Sequence, residues 1–296
     1  MTPDGKAATR ASTLVEALPY IRRFWGKIVV VKYGGNALAA TTEHDALDLF
    51  ATDIVLMRLV GMHPVVVHGG GPQISALMDR LGMAPQFRDG LRITDAATVD
   101  VARMVLTGFV NPQLVSAINV HGNHAVGISG QDAGLIKADA YDSELGYVGR
   151  VASINPEIIH GLIADEFIPV IATIGTDDAG QAYNINADTV AGAIAEAVGA
   201  EKLVYLTDIE GLRRAVDDPA SLLRRTTAGE LVRMVDAGVI TGGMIPKVHS
   251  CIQAVRNGVP RAHILDGRIA HVLLLELLTD AGIGTMIHPD ENAASL

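Results

Sequence analysis

Cysteine is almost missing from this chain: Cys251 stands alone among 296 residues. Neither an intramolecular disulfide framework nor a cysteine-rich zinc site can be built, which agrees with a reducing cytoplasm. A basic excess is missing too. The formal charge of −10 leaves no surplus of lysine and arginine to displace counterions, which argues against sequence-independent nucleic-acid binding and says little about a small substrate. Long apolar runs are short of what a bilayer needs, since the longest near the end, HVLLLELLTDAG, contains Glu276. The first 26 residues lack an apolar stretch set between a basic start and a small-residue cleavage site, so no secretory signal is read there. No GxxxxGK(S/T) sequence occurs, which excludes a Walker-type phosphate loop. Aromatics are only 4% of the chain, yet 49% of it is hydrophobic and mostly aliphatic. That supports one large α/β domain or two closely joined lobes in the cytoplasm, with no membrane and no nucleic acid as partners.

The stretch KIVVVKYGGN has three consecutive β-branched residues, Val29 to Val31, which read as a short buried strand with Lys32 at its carboxyl end. Two readings of Lys32 stand side by side. It can be a lysine whose stem covers the sheet rim beside a tight Gly-Gly turn. Alternatively, Gly34 and Gly35 let backbone N–H groups approach a phosphate and Lys32 supplies the counter-charge. HPVVVHGGGPQI repeats the pattern, with a helix beginning near Pro72. Strand, glycine turn and helix, twice over, predict parallel strands joined by crossover helices, with ligands at the strands' carboxyl ends. Gly34, Gly35, Gly69, Gly70 and Gly71 then share one rim, backed by a helix N-terminus, and form a candidate phosphate site.

Further strands are expected at His124–Ile128, Pro169–Ile174, Leu203–Leu206 and Arg261–Leu265, and ADAYDSELGYVGRVASI reads as a hairpin. The polar stretch Gly175–Ala182 reads as a boundary between two lobes. Ser12 to Trp25 read as a helix, kinked at Pro19, that packs either on its own domain or on another subunit. In YNINADTVAG, Asp188 falls just inside a helix start, which suits the helix dipole by itself; Asn184 and Asn186 before it suit polar ligands or lysines. Lys247 in TGGMIPKVHS lies one turn into a helix, where a cation is unfavourable without a compensating anion. Arg92 follows an Asp-Gly turn and precedes an expected N-cap at Thr94; it is either a surface ion pair or a bidentate carboxylate clamp. His121 and His124 read as a helix end and a strand start rather than a metal pair, Cys251 as core, and no serine shows partners for nucleophilic catalysis. No metal site is read from the residues.

VVKYGGNA, VVHGGGPQI, GLRIT, NINAD, LTDIEGL and GGMIPKV, in this order, resemble the N-acetylglutamate kinase family of the amino acid kinase superfamily, and the resemblance runs from Lys27 to Ile287. It implies a three-layer αβα sandwich around a mainly parallel sheet with an N-terminal helix extension. Residues 1–26 would be an oligomerisation helix, 27–180 the lobe for N-acetyl-L-glutamate and dimerisation, and 181–296 the ATP lobe. The implied reaction is ATP-dependent phosphorylation of the side-chain carboxylate of N-acetyl-L-glutamate, with magnesium entering on ATP. By the same resemblance Lys32 and Lys247 stabilise the transferring group and Asp188 holds them. Gly34, Gly35 and Gly69 bind phosphate, Gly70 and Gly71 bind substrate and the phosphoryl group, and Arg92 and Asn184 grip the substrate.

The two ends of the chain resemble the arginine-inhibited branch of that family, which implies a hexamer built as a trimer of dimers and an L-arginine site at or beside His263, Glu276 and Gly282. Some members bind a PII signalling protein, and no motif here decides that. Phe109, Pro112 and Gln131 stand where family members often carry lysine. The competing readings are another acceptor of the same superfamily (aspartate, glutamate, carbamate or UMP) and a non-catalytic sensor on that fold.

Overall fold

A computed structural model describes residues 5–34, 43–88, 90–215 and 217–290 of the chain. Eight strands form one sheet, in the order Arg225–Thr227, Thr285–His288, Ala262–Asp266, Lys202–Thr207, Ile28–Tyr33, His63–His68, Ile168–Ala172, Ala125–Ser129. The six strands from Ala262–Asp266 to Ala125–Ser129 run parallel, and Thr285–His288 reverses the direction at one side. The valine runs explain the centre of this sheet. Val29, Val30, Val31, Val65, Val66 and Val67 are all fully buried, as strands covered on both faces must be.

Alternation along each strand sends side chains to two separate cores. Val29, Val31 and Tyr33 pack with Phe50, Ile54, Leu114 and Ile118, from the helices on one face. Val30, Val67 and Tyr205 pack with Val190, Ile194, Val248 and Cys251, from the helices on the other. The result is the expected three-layer αβα sandwich around a mainly parallel sheet. The expected hairpin is present as Ile136–Ala140 and Val148–Ile154, and it closes with Ile174–Thr176 and Ala182–Ile185 into a small separate barrel.

The helical run 96–119 is long and apolar enough to cross a membrane by length and composition alone. Here its apolar residues Val105, Leu106, Leu114 and Ile118 are spent in the core beside the sheet. A π-helical turn, Leu106–Val110, interrupts it. The N-terminal helix runs from Gly5 through Pro19 to Phe24; Phe24 is buried, whereas Leu14, Val15 and Leu18 are exposed. One expectation is corrected. Thr94 does not cap a helix: it is fully buried, and its backbone N–H bonds to Leu145 O. Asp95 takes the cap, its Oδ1 accepting from Thr98 N at 2.8 Å, because the hairpin has already claimed the Thr94 backbone.

Candidate active site

Lys32 is the fifth residue of its strand and lies opposite Tyr205 on one side and Val67 on the other. It therefore shares a face with Val30, the face covered by the helices Ala187–Ala197 and Met244–Arg256. Asn186 caps the first of these, its Oδ1 accepting from Asp188 N at 2.8 Å and Thr189 N at 3.3 Å. The cap places the Asp188 carboxylate at the positive end of that helix. Lys247 projects from the first turn of the second helix.

The three side chains meet. Lys32 Nζ lies 2.9 Å from Asp188 Oδ1, and Lys247 Nζ donates to Asp188 Oδ2 at 2.9 Å. Their exposures are 9%, 7% and 6% for Lys32, Asp188 and Lys247. Burial lowers the Lys32 ammonium despite the opposing pull of Asp188. Burial would raise Asp188, and the two ammonium groups overcome it, so its carboxyl lies below the ordinary range. Two cations against one carboxylate leave a local surplus of one positive charge in a buried place, which an anion can neutralise.

Two residues that the sequence reading passed over support this triad. Tyr205 Oη and Ser250 Oγ lie 3.0 Å and 2.7 Å from the Asp188 backbone O; each has one hydrogen, so one hydroxyl donates to that carbonyl and the other donates to its neighbour. The oxygens of the pair are themselves 2.6 Å apart. A tyrosine in the middle of an apolar strand carries no local sign of that role.

The glycine rim adjoins the triad. Tyr33 pairs with His68, so Gly34 and Gly69 follow side by side at the carboxyl edge. A Cβ on Gly34 would stand 3.0 Å from Leu206 O and 3.1 Å from Lys32 Nζ, so a side chain there would crowd the lysine. Gly70 is the N-cap of the helix Gly71–Arg80 and offers no side-chain cap, which leaves first-turn N–H groups for a ligand. Gly35, and Asp89 of the expected Asp-Gly turn, lie outside the described residues.

Arg92 reaches over that helix start, donating from Nη2 to Gly71 O at 2.9 Å and Ser75 Oγ at 2.8 Å. The Phe87 ring lies 4.7 Å from its guanidinium carbon. Burial lowers its pKa, with Asp79 opposing. A backbone relay links Asn184 to this segment: Asn184 N donates to Tyr147 O at 2.9 Å, and Tyr147 N to Thr94 O at 2.6 Å. On the other side of the triad, a cavity of about 400 Å³ is lined by Asp208, Gly211, Leu212, Ile240, Met244 and others at the end of the Lys202–Thr207 strand.

His263 and Glu276 form a second cluster on the other face of the sheet: His263 pairs with Val204, level with Val31, and shares that face rather than the face of Lys32. His263 Nδ1 lies 3.0 Å from Glu276 Oε1, and Glu276 Oε2 accepts from Ile283 N at 3.1 Å. Gly282 O accepts from Arg224 Nη1 at 3.2 Å. The sequence reading missed Lys202, whose Nζ lies 3.6 Å from Glu276 Oε1 and 5.0 Å from the Phe24 ring centroid. Burial pushes Lys202 down to about 8 and lowers His263. His121 and His124 flank a helix end and a strand start, and no three His, Cys, Asp or Glu side chains among the described residues could hold a metal.

Residues 27–266 match the amino acid kinase family. The acetylglutamate kinase of Symbiobacterium thermophilum is 53% identical, with 96% of this chain and 99% of that protein covered. That of Saccharopolyspora erythraea is also 53% identical, over 96% and 94% of the two chains. Among solved structures, N-acetylglutamate synthase from Neisseria gonorrhoeae complexed with coenzyme A and N-acetyl-glutamate superposes with a TM-score of 0.82 at 26% identity; this chain has 95% of its length covered and spans 63% of that one. Carbamate kinase from Giardia lamblia bound to AMP-PNP shares the fold, with a TM-score of 0.69 at 20% identity over 90% and 99% of the chains.

Proposed function

This chain belongs to the amino acid kinase family, and on that premise we propose that it transfers the γ-phosphoryl group of ATP to the side-chain carboxylate of N-acetyl-L-glutamate, a step of arginine biosynthesis. The relatives named acetylglutamate kinase, about half identical over nearly the whole chain, support that acceptor over aspartate, glutamate, carbamate or UMP. The observation that carries the chemistry is the buried Lys32–Asp188–Lys247 triad beside the glycine rim.

A carboxylate oxygen of the substrate attacks the γ-phosphorus while the bond to the ADP oxygen breaks. The carboxylate is already ionised at neutral pH, so no general base is needed. The protein's work is positioning and charge neutralisation. Lys32 and Lys247 face the transferring oxygens, and Asp188 keeps both ammonium groups in place. Gly34 and Gly69 let backbone approach the phosphates, and Gly35 takes the same role by resemblance. Gly70 and Gly71 donate N–H groups to substrate and phosphoryl oxygens. Arg92 and Asn184 hold the α-carboxylate, and the cavity beside Asp208 and Met244 takes the nucleoside. Both Asp188 oxygens are engaged by lysines, so the triad offers no carboxylate to a resident cation. Magnesium then rides on the ATP phosphates rather than in a protein cage.

The His263–Glu276–Lys202 cluster supports a second part of the reading, inhibition by L-arginine. By the resemblance the arginine site lies at or beside these residues, and the end of the N-terminal helix reaches them through Phe24, whose ring centroid is 5.0 Å from Lys202 Nζ. The exposed Leu14, Val15 and Leu18 of that helix support its use in assembling a hexamer. The lone buried Cys251 fits a cytoplasmic protein.

The test is an ATP-dependent hydroxamate-trapping assay with N-acetyl-L-glutamate, L-glutamate and L-aspartate, each with and without L-arginine. Acyl phosphate is expected from N-acetyl-L-glutamate alone and is expected to fall when arginine is added. Product from another acceptor instead would reassign the substrate.

A further inference from the structure

The glycines of the His-Gly-Gly-Gly stretch have a role above, and its histidine does not. His68 ends its strand fully buried. Its Nδ1 lies 3.0 Å from the carbonyl O of the next residue, Gly69, and its Nε2 lies 3.0 Å from Asn111 Nδ2. The same Asn111 nitrogen donates to Val170 O at 2.9 Å. A carbonyl can only accept, so the amide end facing Val170 and His68 is the NH2 end. Nε2 therefore accepts, Nδ1 carries the hydrogen, and that hydrogen goes to Gly69 O; both contacts require one tautomer. Burial pushes the imidazole down to about 4, so the ring is neutral under ordinary conditions.

The surroundings are built around this arrangement. Asn111 stands where the helical run leaves its π-turn, Leu106–Val110, a rare feature that concentrates at functional sites. The π-turn also presses on the rim from the other side: a Cβ at Gly70 would lie 2.7 Å from Leu106 Cδ2 and 3.2 Å from Val110 Cγ2. A Cβ at Gly127 would lie 1.9 Å from Asn111 Oδ1, so only a glycine in that strand leaves room for the amide. In a planar trans peptide the C=O and the following N–H point in opposite directions. Pinning Gly69 O inward on His68 thus turns Gly70 N–H outward, toward the rim.

We infer that His68 is a positioning residue for phosphoryl transfer: held by Asn111 in its Nδ1–H tautomer, it fixes the Gly69–Gly70 peptide so that the Gly70 N–H meets the reacting phosphoryl group. This rests on the kinase reading above. Its contribution is made through the glycine loop, and the π-turn closes the loop's other side.

Two matched variants test it. His68→Asn keeps an amide donor near the Nδ1 position, whereas His68→Gln keeps an acceptor near Nε2 for Asn111 and loses the donor to Gly69. Gln is nearer to His in volume, so core packing alone ranks Gln as the milder change. The expected order is the reverse. His68→Gln lowers kcat about ten- to hundred-fold with both KM values changed less than about three-fold, as for loss of a transition-state donor, and His68→Asn recovers most of that loss. Equal loss, or a milder Gln variant, overturns the inference. If neither variant folds, ring 15N NMR of the wild-type protein decides: a neutral imidazole at His68 protonated on Nδ1 is expected, and an Nε2–H tautomer overturns it. A wild-type protein that forms no acyl phosphate removes the kinase reading itself, whereas an active wild type with the wrong tautomer removes this inference alone.

Discussion

Two lysine–carboxylate clusters sit on neighbouring strands of one sheet and differ in charge balance. Val29 is paired with Lys202 in the register, and three residues along the same strand is Lys32, about 10 Å further toward the carboxyl edge. At that edge Lys32 and Lys247 share one carboxylate, Asp188. At the amino end a single lysine, Lys202, and the lowered His263 share Glu276, so within contact distance one positive charge meets one negative, while Arg23 and Arg261 act on Lys202 from farther off. The first cluster is left with a surplus cation and opens on a glycine rim. The second is balanced and is covered by Phe24 from the N-terminal helix. By the reading above, similar side chains thus make a phosphate-handling site in one place and a regulatory site in the other; the surplus charge and the bare backbone make the difference.

Removing the surplus should have the largest effect. Lys32→Ala and Lys247→Ala are each expected to lower kcat about 100-fold or more, since each deletes a preorganised charge aimed at the transition state. Near-wild-type turnover in both purified variants would erase the distinction between the clusters. Arg92→Ala should act on binding instead, raising the KM for N-acetyl-L-glutamate roughly ten-fold or more while sparing that for ATP. Steady-state kinetics with each substrate varied would show an ATP-selective defect if Arg92 is misassigned.

At the balanced cluster, Glu276→Gln should leave turnover within about two-fold and raise the arginine concentration for half-inhibition by about ten-fold or more. Inhibition curves that superpose on the wild type would place arginine elsewhere. The smallest effect concerns Lys202. Its folded pKa of about 8 lies below its unfolded value, so between those two values the unfolded chain binds the proton more readily. Stability should therefore rise as pH climbs above about 8, by no more than about 1.4 kcal/mol per pH unit. Denaturant titrations of Lys202→Met should lack that component, and an identical slope in both proteins would show that Lys202 is not desolvated.

Much of the first cluster is legible in the amino-acid sequence. Lys32 follows a valine run, Asp188 follows an Asn at a helix start, and Lys247 sits in a first turn, so each carries its own local pattern. The second cluster is legible only through resemblance, and Lys202 escapes because one lysine opening an apolar strand has no local pattern to mark it. Thr94 misleads for a related reason: Thr and Asp both cap helices, and the choice passes to Asp95 because a hairpin distant in sequence takes the Thr94 backbone.

Periodicity and glycine placement along the chain were enough to specify parallel strands and crossover helices, because those properties depend on residues a few positions apart. The two 2.9 Å lysine contacts of Asp188, its Tyr205 and Ser250 supports, and the π-turn against Gly70 were decided in three dimensions. Asp188 and Lys247 are 59 residues apart and His68 and Asn111 are 43 apart. No local preference encodes such pairings; they arise when the sheet register and the helix packing bring the partners together.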